Sequence, residues 1–344
     1  APTFNDLLDL DVALRIGSDF PGPTAVIVKR ANPVGLASSD TLRQAYQRAL
    51  DCDPVNAFGA TLGLNRPVDA QTAQAVVDTP FEAVLAPGFG PEPGLDLRYF
   101  GGKTLPHLRW AHVYAGAWRA EDRAKLDHAL SAAMRDRGLN NVLAQYFPHA
   151  EVTAAFAGSH VHEGKLPDRV YRDTVETVVA GLSIGSAMAC VLLPPGAVLV
   201  DGDSTGSRAI TDPDDDAVDS KHGLGGYHGS VNVAGSTRYY AVAVYSEGDN
   251  GIVAFDEPWK NVCATLYHEL QETRTDPDVE DAIRLGSSPG ADQLLGWYSS
   301  RGGEIGDIPM AEAGGRLDLV MQEVPLADGS GTAPVQLMWS NAVG

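Results

Sequence analysis

The amino-acid sequence predicts an α/β part followed by an α+β part. The chain has 344 residues, about twice the ~150 residues of a typical domain. Helix-like and strand-like patterns alternate up to residue 89, and a segment rich in Gly and Pro follows at residues 88–102. Residues 1–110 carry 9 basic and 12 acidic side chains, whereas residues 111–344 carry 16 and 33. We place the boundary at about residues 90–110 and expect domains at residues 1–100 and 111–344.

Composition and charge limit the classes of partner. Apolar residues make up 44% of the chain and charged residues 20%, which is typical of globular proteins. The net charge of −20 predicts neither nucleic acid nor a membrane surface as a partner. The three cysteines form no CxxC pair and no disulfide framework. We therefore expect a soluble protein, favour the cytoplasm and leave secretion open.

In the first part, the spacing of the apolar residues predicts helices and strands. Residues 6–16 alternate polar and apolar faces as an amphipathic helix does, and residues 39–49 follow a capping residue, Ser39 or Asp40. Short apolar runs predict three buried strands. A segment of mixed polar and apolar residues predicts a helix between the second and the third strand. The predicted strands are residues 24–29, 59–64 and 83–86, and the last helix is residues 69–77. Alternating helices and strands indicate α/β layers.

Several motifs in residues 3–89 carry a family resemblance. They include NDLLDLD at residues 5–11, AVIVKRANPVG at residues 25–35, AYQRALDCDPVN at residues 45–56 and LNRPVD at residues 64–69. With these motifs in this order, the segment resembles the start of the AICAR transformylase domain of the bifunctional purine-biosynthesis enzyme. The resemblance implies part of a cytidine-deaminase-like α/β fold.

The same resemblance points to Lys29, Arg30 and Asn32 as candidate ligand-binding residues. The family has an adjacent Lys-His catalytic pair in a KHxNPCG loop, and here the loop reads KRANPVG, with Arg30 in place of the histidine. A guanidinium does not exchange a proton near neutral pH, as an imidazole does. Three interpretations stay open: formyl or one-carbon transfer, binding of an anion or small nucleotide, and a reused scaffold in which Lys29 and Arg30 lie on an exposed strand end.

In the second part, strand and helix patterns are again mixed. We expect strands at residues 113–118, 153–159, 188–193, 197–200 and 239–245, and helices at residues 120–137 and 170–180. Residues 201–219 contain seven Asp and predict a solvated surface loop, with calcium chelation as the alternative.

An HExxE motif on a predicted helix is the main candidate site of the second part. Residues 259–273 contain no glycine, and Val262, Leu266 and Leu270 recur on one face. His268 and Glu272 are four residues apart, so both side chains can face one cation while Glu269 activates water. This is the spacing of the zincin HExxH helix with a carboxylate as the second ligand.

Further candidates follow in the sequence or precede the helix. Glu304 or Asp307, on a Gly-rich turn, would complete the metal coordination. Asp276 is either a ligand or the cap of the helix end. His228, in GGYHGS, is a candidate catalytic donor or ligand or an ordinary loop histidine.

Residues 113–310 also resemble an uncharacterised, metalloprotease-like family. The motifs are VYAGAW at residues 113–118, GYH at residues 226–228, YHELQETRTDP at residues 267–277 and GWYSSRGGEIGD at residues 296–307. The resemblance implies a zincin-like α+β domain and a metal site.

Together these patterns predict a metal-dependent hydrolase of peptide or amide bonds. His268, Glu272 and a third carboxylate would hold a divalent metal, with zinc expected first and manganese or calcium left open. Glu269 would act as general base. The substrate would be a peptide or a small molecule, and the oligomeric state stays open. The alternatives are the one-carbon or nucleotide chemistry of the first part, and a non-catalytic binding protein stabilised by metal.

Overall fold

The computed structural model describes residues 4–77, 79–88, 95–185, 187–204, 219–286 and 288–341. These residues belong to two compact units, the first ending at Leu95 and the second beginning at Asp96. Most of the predicted acidic loop at residues 201–219, and part of the predicted linker at residues 88–102, lie outside the described residues.

The first unit is a small mixed sheet with helices. Its elements, in chain order, are α1 (Phe4–Ser18), β1 (Thr24–Lys29), β2 (Asn32–Ser38), α2 (Leu42–Cys52), α3 (Pro54–Ala57), β3 (Thr61–Leu64), α4 (Ala70–Val77) and β4 (Ala83–Leu85). The sheet order is β2-β1-β3-β4, with only the β3–β4 pair parallel. β1 is buried along nearly its whole length, as its continuous apolar run predicts.

Two expectations for the first unit need correction. The KRANPVG segment at residues 29–35, described as a loop, contains the start of strand β2, which pairs with β1 through a two-residue turn. The second helix begins at Leu42 and not at residue 39, because the side chain of Thr41 accepts a hydrogen bond from the Gln44 N–H and caps the helix. Neither Ser39 nor Asp40 is the cap.

The second unit is built on a five-stranded sheet. Its helices are α5 (Ala120–Arg135), α6 (Arg172–Ala180), α7 (Pro258–Thr275), α8 (Val279–Leu285), α9 (Asp307–Glu312) and α10 (Leu317–Val320). Its strands are β5 (Leu97–Tyr99), β6 (His107–Ala115), β7 (Thr153–His162), β8 (Arg169–Val170), β9 (Met188–Leu192), β10 (Val198–Leu199), β11 (Gly226–Val233), β12 (Ser236–Ala243), β13 (Trp297–Ser299), β14 (Met321–Pro325) and β15 (Thr332–Gln336). The sheet order is β11-β12-β9-β6-β7, and only β11 and β12 pair antiparallel in it.

The bounds of several elements differ from the prediction. The strand predicted at residues 113–118 runs instead over His107–Ala115 and stops before Gly116, whose φ of 66° breaks the extended backbone. The strand predicted at residues 239–245 begins three residues earlier, at Ser236. Both strands are longer at their start because they pair with neighbouring strands there, which periodicity alone does not show.

Helix α7 lies at the centre of the second unit. Its apolar residues Val262, Leu266 and Leu270 are fully buried in one cluster with α5 and with strands β6, β9, β12 and β15. The cluster on the opposite face of the sheet includes residues of α6. Burying a leucine side chain stabilises a fold by about 1.5–3 kcal/mol, so this packing fixes the orientation of α7. The polar face of the same helix then has a defined position against β11 and β15.

The helices in the described ranges include none with the length and apolar character needed to cross a bilayer.

A buried histidine and carboxylate cluster in the second unit

The HExxE residues lie on the buried polar face of α7. Glu269 and Glu272 are almost completely buried, and His268 is mostly so. His268 Nε2 lies 2.9 Å from Glu272 Oε2 and 4.0 Å from Glu269 Oε1. The i, i+4 spacing therefore places His268 and Glu272 together as the sequence predicts.

Strand β11 adds His228 to this cluster. Its Nδ1 atom lies 3.3 Å from Glu269 Oε2 and 3.8 Å from Glu272 Oε2. On the other side of the ring, Nε2 lies 3.2 Å from the Asp276 carbonyl oxygen and 3.7 Å from Glu304 Oε1. His228 is thus buried on a strand with contacts to four acidic residues, and it is not a loop histidine.

The start of α9 and the turn before it add Asp307 and Glu304 to the cluster. Asp307 Oδ1 lies 3.8 Å from His268 Nε2, and Asp307 Oδ2 accepts a hydrogen bond from the Glu304 backbone N–H. Glu304 is 6% exposed, yet its Oε1 has no hydrogen-bond partner. A buried carboxylate oxygen without a donor is costly, and the nearest positive group, His228 Nε2, is beyond hydrogen-bonding distance at 3.7 Å.

Two residues of the cluster were not predicted from the sequence. Gln336 on β15 donates from Nε2 to the Gly306 carbonyl, at 2.6 Å, and its Oε1 lies 2.9 Å from His268 Nδ1. The Gly306 N–H in turn donates to Glu272 Oε1, at 3.1 Å. Because the carbonyl fixes the Gln336 amide, Oε1 accepts from Nδ1–H and leaves Nε2 of His268 facing the carboxylates.

Neighbouring carboxylates stabilise the protonated form of both imidazoles. Burial lowers the pKa of His268, but the charge and hydrogen bond of Glu272 outweigh it and raise that pKa to about 10. Burial likewise opposes protonation of His228, and the contacts with Glu269 and the charge of Glu272 raise its pKa to about 9. Both rings therefore supply positive charge to the carboxylates around them.

The carboxyl groups of Glu272, Asp276 and Glu304 resist ionisation. Burial and the charge of Asp307 raise the pKa of Glu272 to about 7. Burial, together with the charges of Glu272 and Asp276, raises the pKa of Glu304 well above its usual range. Burial raises the pKa of Asp276 to about 7. The cluster thus concentrates more acidic groups than its two imidazoles neutralise, as a cation site does.

The structure sorts the predicted metal ligands into two groups. In each group the possible ligand atoms all lie within 4.8 Å of one another: His228, Glu272 and Glu304 form one, and His268, Glu272 and Asp307 form the other. Asp276 belongs to neither group. It caps the end of α7, and its Oδ1 accepts a hydrogen bond from the Gly296 N–H, at 2.9 Å.

The candidate ligand residues of the first unit lie at the turn between β1 and β2. Arg30 and Ala31 have φ values of 51° and 60°, which side chains other than glycine rarely adopt. The buried carboxylate of Asp9 accepts hydrogen bonds from both of their N–H groups, at 2.9 and 2.5 Å. Lys29 Nζ donates to the Phe58 carbonyl at 2.5 Å, while Arg30 and Asn32 are exposed.

Comparison with known proteins matches the first unit. Residues 1–97 match the family model described as AICARFT/IMPCHase bienzyme. The bifunctional purine biosynthesis protein PurH of Myxococcus xanthus is 42% identical over 126 residues, which is 36% of this chain and 24% of that protein. The PurH proteins of Sorangium cellulosum and Cereibacter sphaeroides are 44% and 46% identical over 90 and 89 residues, or 26% and 25% of this chain and 17% of each relative. The resemblance predicted for residues 3–89 is confirmed.

The match is partial in both directions. The chain spans about a quarter or less of the length of these curated relatives. The family match ends at residue 97, so it gives the metalloprotease-like resemblance of residues 113–310 no support.

The expectation of a peptide- or amide-bond metallohydrolase is wrong. Residues 1–97 match the AICARFT/IMPCHase bienzyme family, and the relatives are purine biosynthesis proteins, so the hydrolase, metalloprotease and zinc predictions are wrong. The structure gives a physical reason as well. Glu269, expected to be a general base, has Oε2 in contact with His228 Nδ1 and lies buried between two histidines.

Proposed function

We propose that the first unit binds an anionic, purine-nucleotide-like small molecule at the turn between β1 and β2. The observation that carries the proposal is the strained Arg30–Ala31 turn. The family resemblance places the Lys-His pair at Lys29 and Arg30, at the start of this turn. Two consecutive positive φ values cost free energy, and such strain concentrates at functional sites. Asn-Gly is the ordinary sequence for this turn, so Arg30 is here for its side chain rather than for its backbone preference.

The residues around the turn favour binding over formyl transfer. Asp9 occupies the two backbone N–H groups of the turn, so the remaining donors for an anion are the side chains of Lys29, Arg30 and Asn32. A guanidinium pairs with a phosphate through two parallel hydrogen bonds but does not exchange protons near neutral pH. We also propose, on the strength of the family match, that the unit is part of a cytidine-deaminase-like domain.

We expect Arg30→Gln to weaken the binding of a purine nucleoside 5′-monophosphate by at least about tenfold, because it removes one charged hydrogen-bonding partner worth about 1.5–3 kcal/mol. The measurement is calorimetric titration of the full chain with AICAR and with inosine 5′-monophosphate. Arg43→Gln, on the exposed side of α2, is the matched control and should bind as the wild type does. Equal affinities in the two variants, or no binding by the wild type at millimolar nucleotide, would contradict the proposal.

A second function is favoured by the unpartnered Glu304 Oε1 in the second unit. We propose that the cluster around Glu272 binds a divalent cation, which would satisfy Glu304 and compensate the buried carboxylates together. A donor set of imidazole nitrogen and carboxylate oxygen suits first-row divalent ions, with manganese among them, and calcium is the alternative for the oxygen-rich part.

We expect Glu272→Gln to abolish cation binding, since Glu272 is common to both ligand groups and the amide keeps its shape but not its charge. Chelator-treated full chain would be dialysed against Mn²⁺ or Ca²⁺, and bound metal measured by elemental analysis. Glu312→Gln, an exposed residue of α9, is the control. Retention of bound metal by Glu272→Gln, or an absence of bound metal in the wild type, would rule out this site.

A further inference from the structure

The two ligand groups of the second unit share one residue, and this sharing indicates more than a single cation. Glu272 belongs to the group with His228 and Glu304 and also to the group with His268 and Asp307. On sequence grounds Glu304 and Asp307 are alternatives for one ligand position. In the structure they belong to different groups, each with its own histidine.

The carboxylates between the histidines have the arrangement of bridging ligands. Glu272 Oε2 lies 2.9 Å from His268 Nε2 and 3.8 Å from His228 Nδ1. Glu269 directs Oε1 towards His268, at 4.0 Å, and Oε2 towards His228, at 3.3 Å. Each of these two side chains therefore faces both imidazoles. A carboxylate placed between two nitrogen ligands can bind one cation on each side, as in paired-metal sites.

The charges of the cluster match two divalent cations better than one. Glu269, Glu272, Glu304 and Asp307 carry four negative charges when ionised, and all except Asp307 are buried. Two divalent cations balance these charges with both histidines neutral. One cation leaves two of these charges to be compensated by protons on the histidines or on the carboxylates themselves, because an uncompensated buried charge is strongly unfavourable.

Each group also has a nitrogen ligand in a defined orientation. Gln336 accepts the Nδ1 proton of His268, so Nε2 faces Glu272 and Asp307 and is the nitrogen that can bind a cation once its proton is lost. Hydrogen bonds of this kind orient metal-binding histidines in proteins. His228 projects from β11 and directs Nδ1 towards Glu269 and Glu272. Its Nε2 faces the Asp276 carbonyl and Glu304.

We propose that the second unit holds a pair of divalent cations bridged by Glu272, one with His228 and Glu304 and the other with His268 and Asp307. The inference rests on the cation-binding function proposed above and extends it. One nitrogen and several carboxylate oxygens per ion suit Mn²⁺ or Fe²⁺, and Mn²⁺ is the probe because its spectrum distinguishes paired from isolated ions.

The test is the number of Mn²⁺ ions per chain and their magnetic coupling. Chelator-treated full chain would be titrated with Mn²⁺, the bound metal counted by elemental analysis, and the loaded protein examined by electron paramagnetic resonance. We expect about two ions per chain with the exchange-coupled hyperfine pattern of a manganese pair. His228→Gln and His268→Gln should each reduce the count to about one ion and remove the coupling. Glu312→Gln should keep both.

The outcomes separate this inference from the function on which it rests. One uncoupled ion per chain in the wild type, lost in either histidine variant, would overturn the pair and leave a single-cation site. No bound ion in the wild type would overturn both. Circular dichroism of each variant shows whether it is folded, and the wild-type count decides the question even where a variant is not.

Discussion

Replacing Gly306 by alanine is expected to weaken Mn²⁺ binding by roughly 10- to 100-fold, the range typical of changes next to metal ligands. An added Cβ would lie 2.4 Å from His268 Nδ1 and 2.9 Å from Glu272 Oε1. Real Cβ contacts are not this short, so the His268 ring or the turn itself must move. Either movement disturbs the hydrogen bond from His268 Nδ1–H to Gln336 and the one from the Gly306 N–H to Glu272, which orient the two ligands.

The measurement for Gly306→Ala is the same Mn²⁺ titration, with Gly181→Ala as the matched control. Gly181 ends α6 with an ordinary φ of −79°, and its nearest neighbour to an added Cβ is the Val178 carbonyl oxygen, at 3.5 Å. The φ of Gly306 is also ordinary, at −91°, so backbone strain does not explain a difference between the variants. A folded Gly306→Ala protein with wild-type affinity would show that His268 takes no part in cation binding.

The sequence predicts the HExxE part of the cluster because those contacts are local. His268 and Glu272 are four residues apart on one helix, and helix geometry alone brings them together. The apolar residues Val262, Leu266 and Leu270 of α7 show which face is buried, and the structure places them in the core as predicted. The fixed period of 3.6 residues per helical turn is the physical reason that these contacts of α7 can be predicted from the sequence.

The rest of the cluster depends on contacts between distant segments. His228 and Gln336 reach α7 only because β11 and β15 pack against it, and neither strand pairing nor packing partner is encoded in a short motif. Gln336 carries no sequence signal of its own. Gly306 belongs to the GGEIGD turn, and its Cβ-free approach to His268 is visible only in three dimensions.

The HExxE motif is therefore a guide to a buried polar cluster and not to a reaction. Glu269 has the position along the helix that a general base has in zincins, but a second histidine, His228, occupies the space beside it. The cytidine-deaminase-like and zincin-like fold classes stay predictions. The first unit shows the complementary case. Separated motifs predict the family that residues 1–97 match, whereas the local conformation of Arg30 and Ala31 appears only in the structure.

Replacing Arg172 by methionine is expected to lower the free energy of unfolding of the second unit by about 3 kcal/mol, at the lower end of the range for breaking a buried ion pair. Arg172 is almost completely buried, forms ion pairs with Glu280 on α8 and with Asp201, and lies over the Tyr227 ring at 5.0 Å. Methionine fills a similar volume but leaves Glu280 without its cation. Asp201 is partly exposed, so water replaces part of its interaction and the loss stays near the lower end.

The comparison with Arg316→Met separates the stabilising effect of a buried ion pair from that of an exposed one. Arg316 and Asp318 also form a short pair, at 2.8 Å, but both side chains are 65% exposed, and such pairs contribute about 0–1 kcal/mol. Urea unfolding of the full chain, followed by tryptophan fluorescence, measures both variants. Equal, small losses would show that Arg172 is solvated and does not hold α6 and α8 against β11. A loss of unfolding free energy confined to Arg172→Met would establish that Arg172 holds α6 and α8 against β11. Because Tyr227 directly precedes His228 on β11, the same result would show that Arg172 helps to position His228.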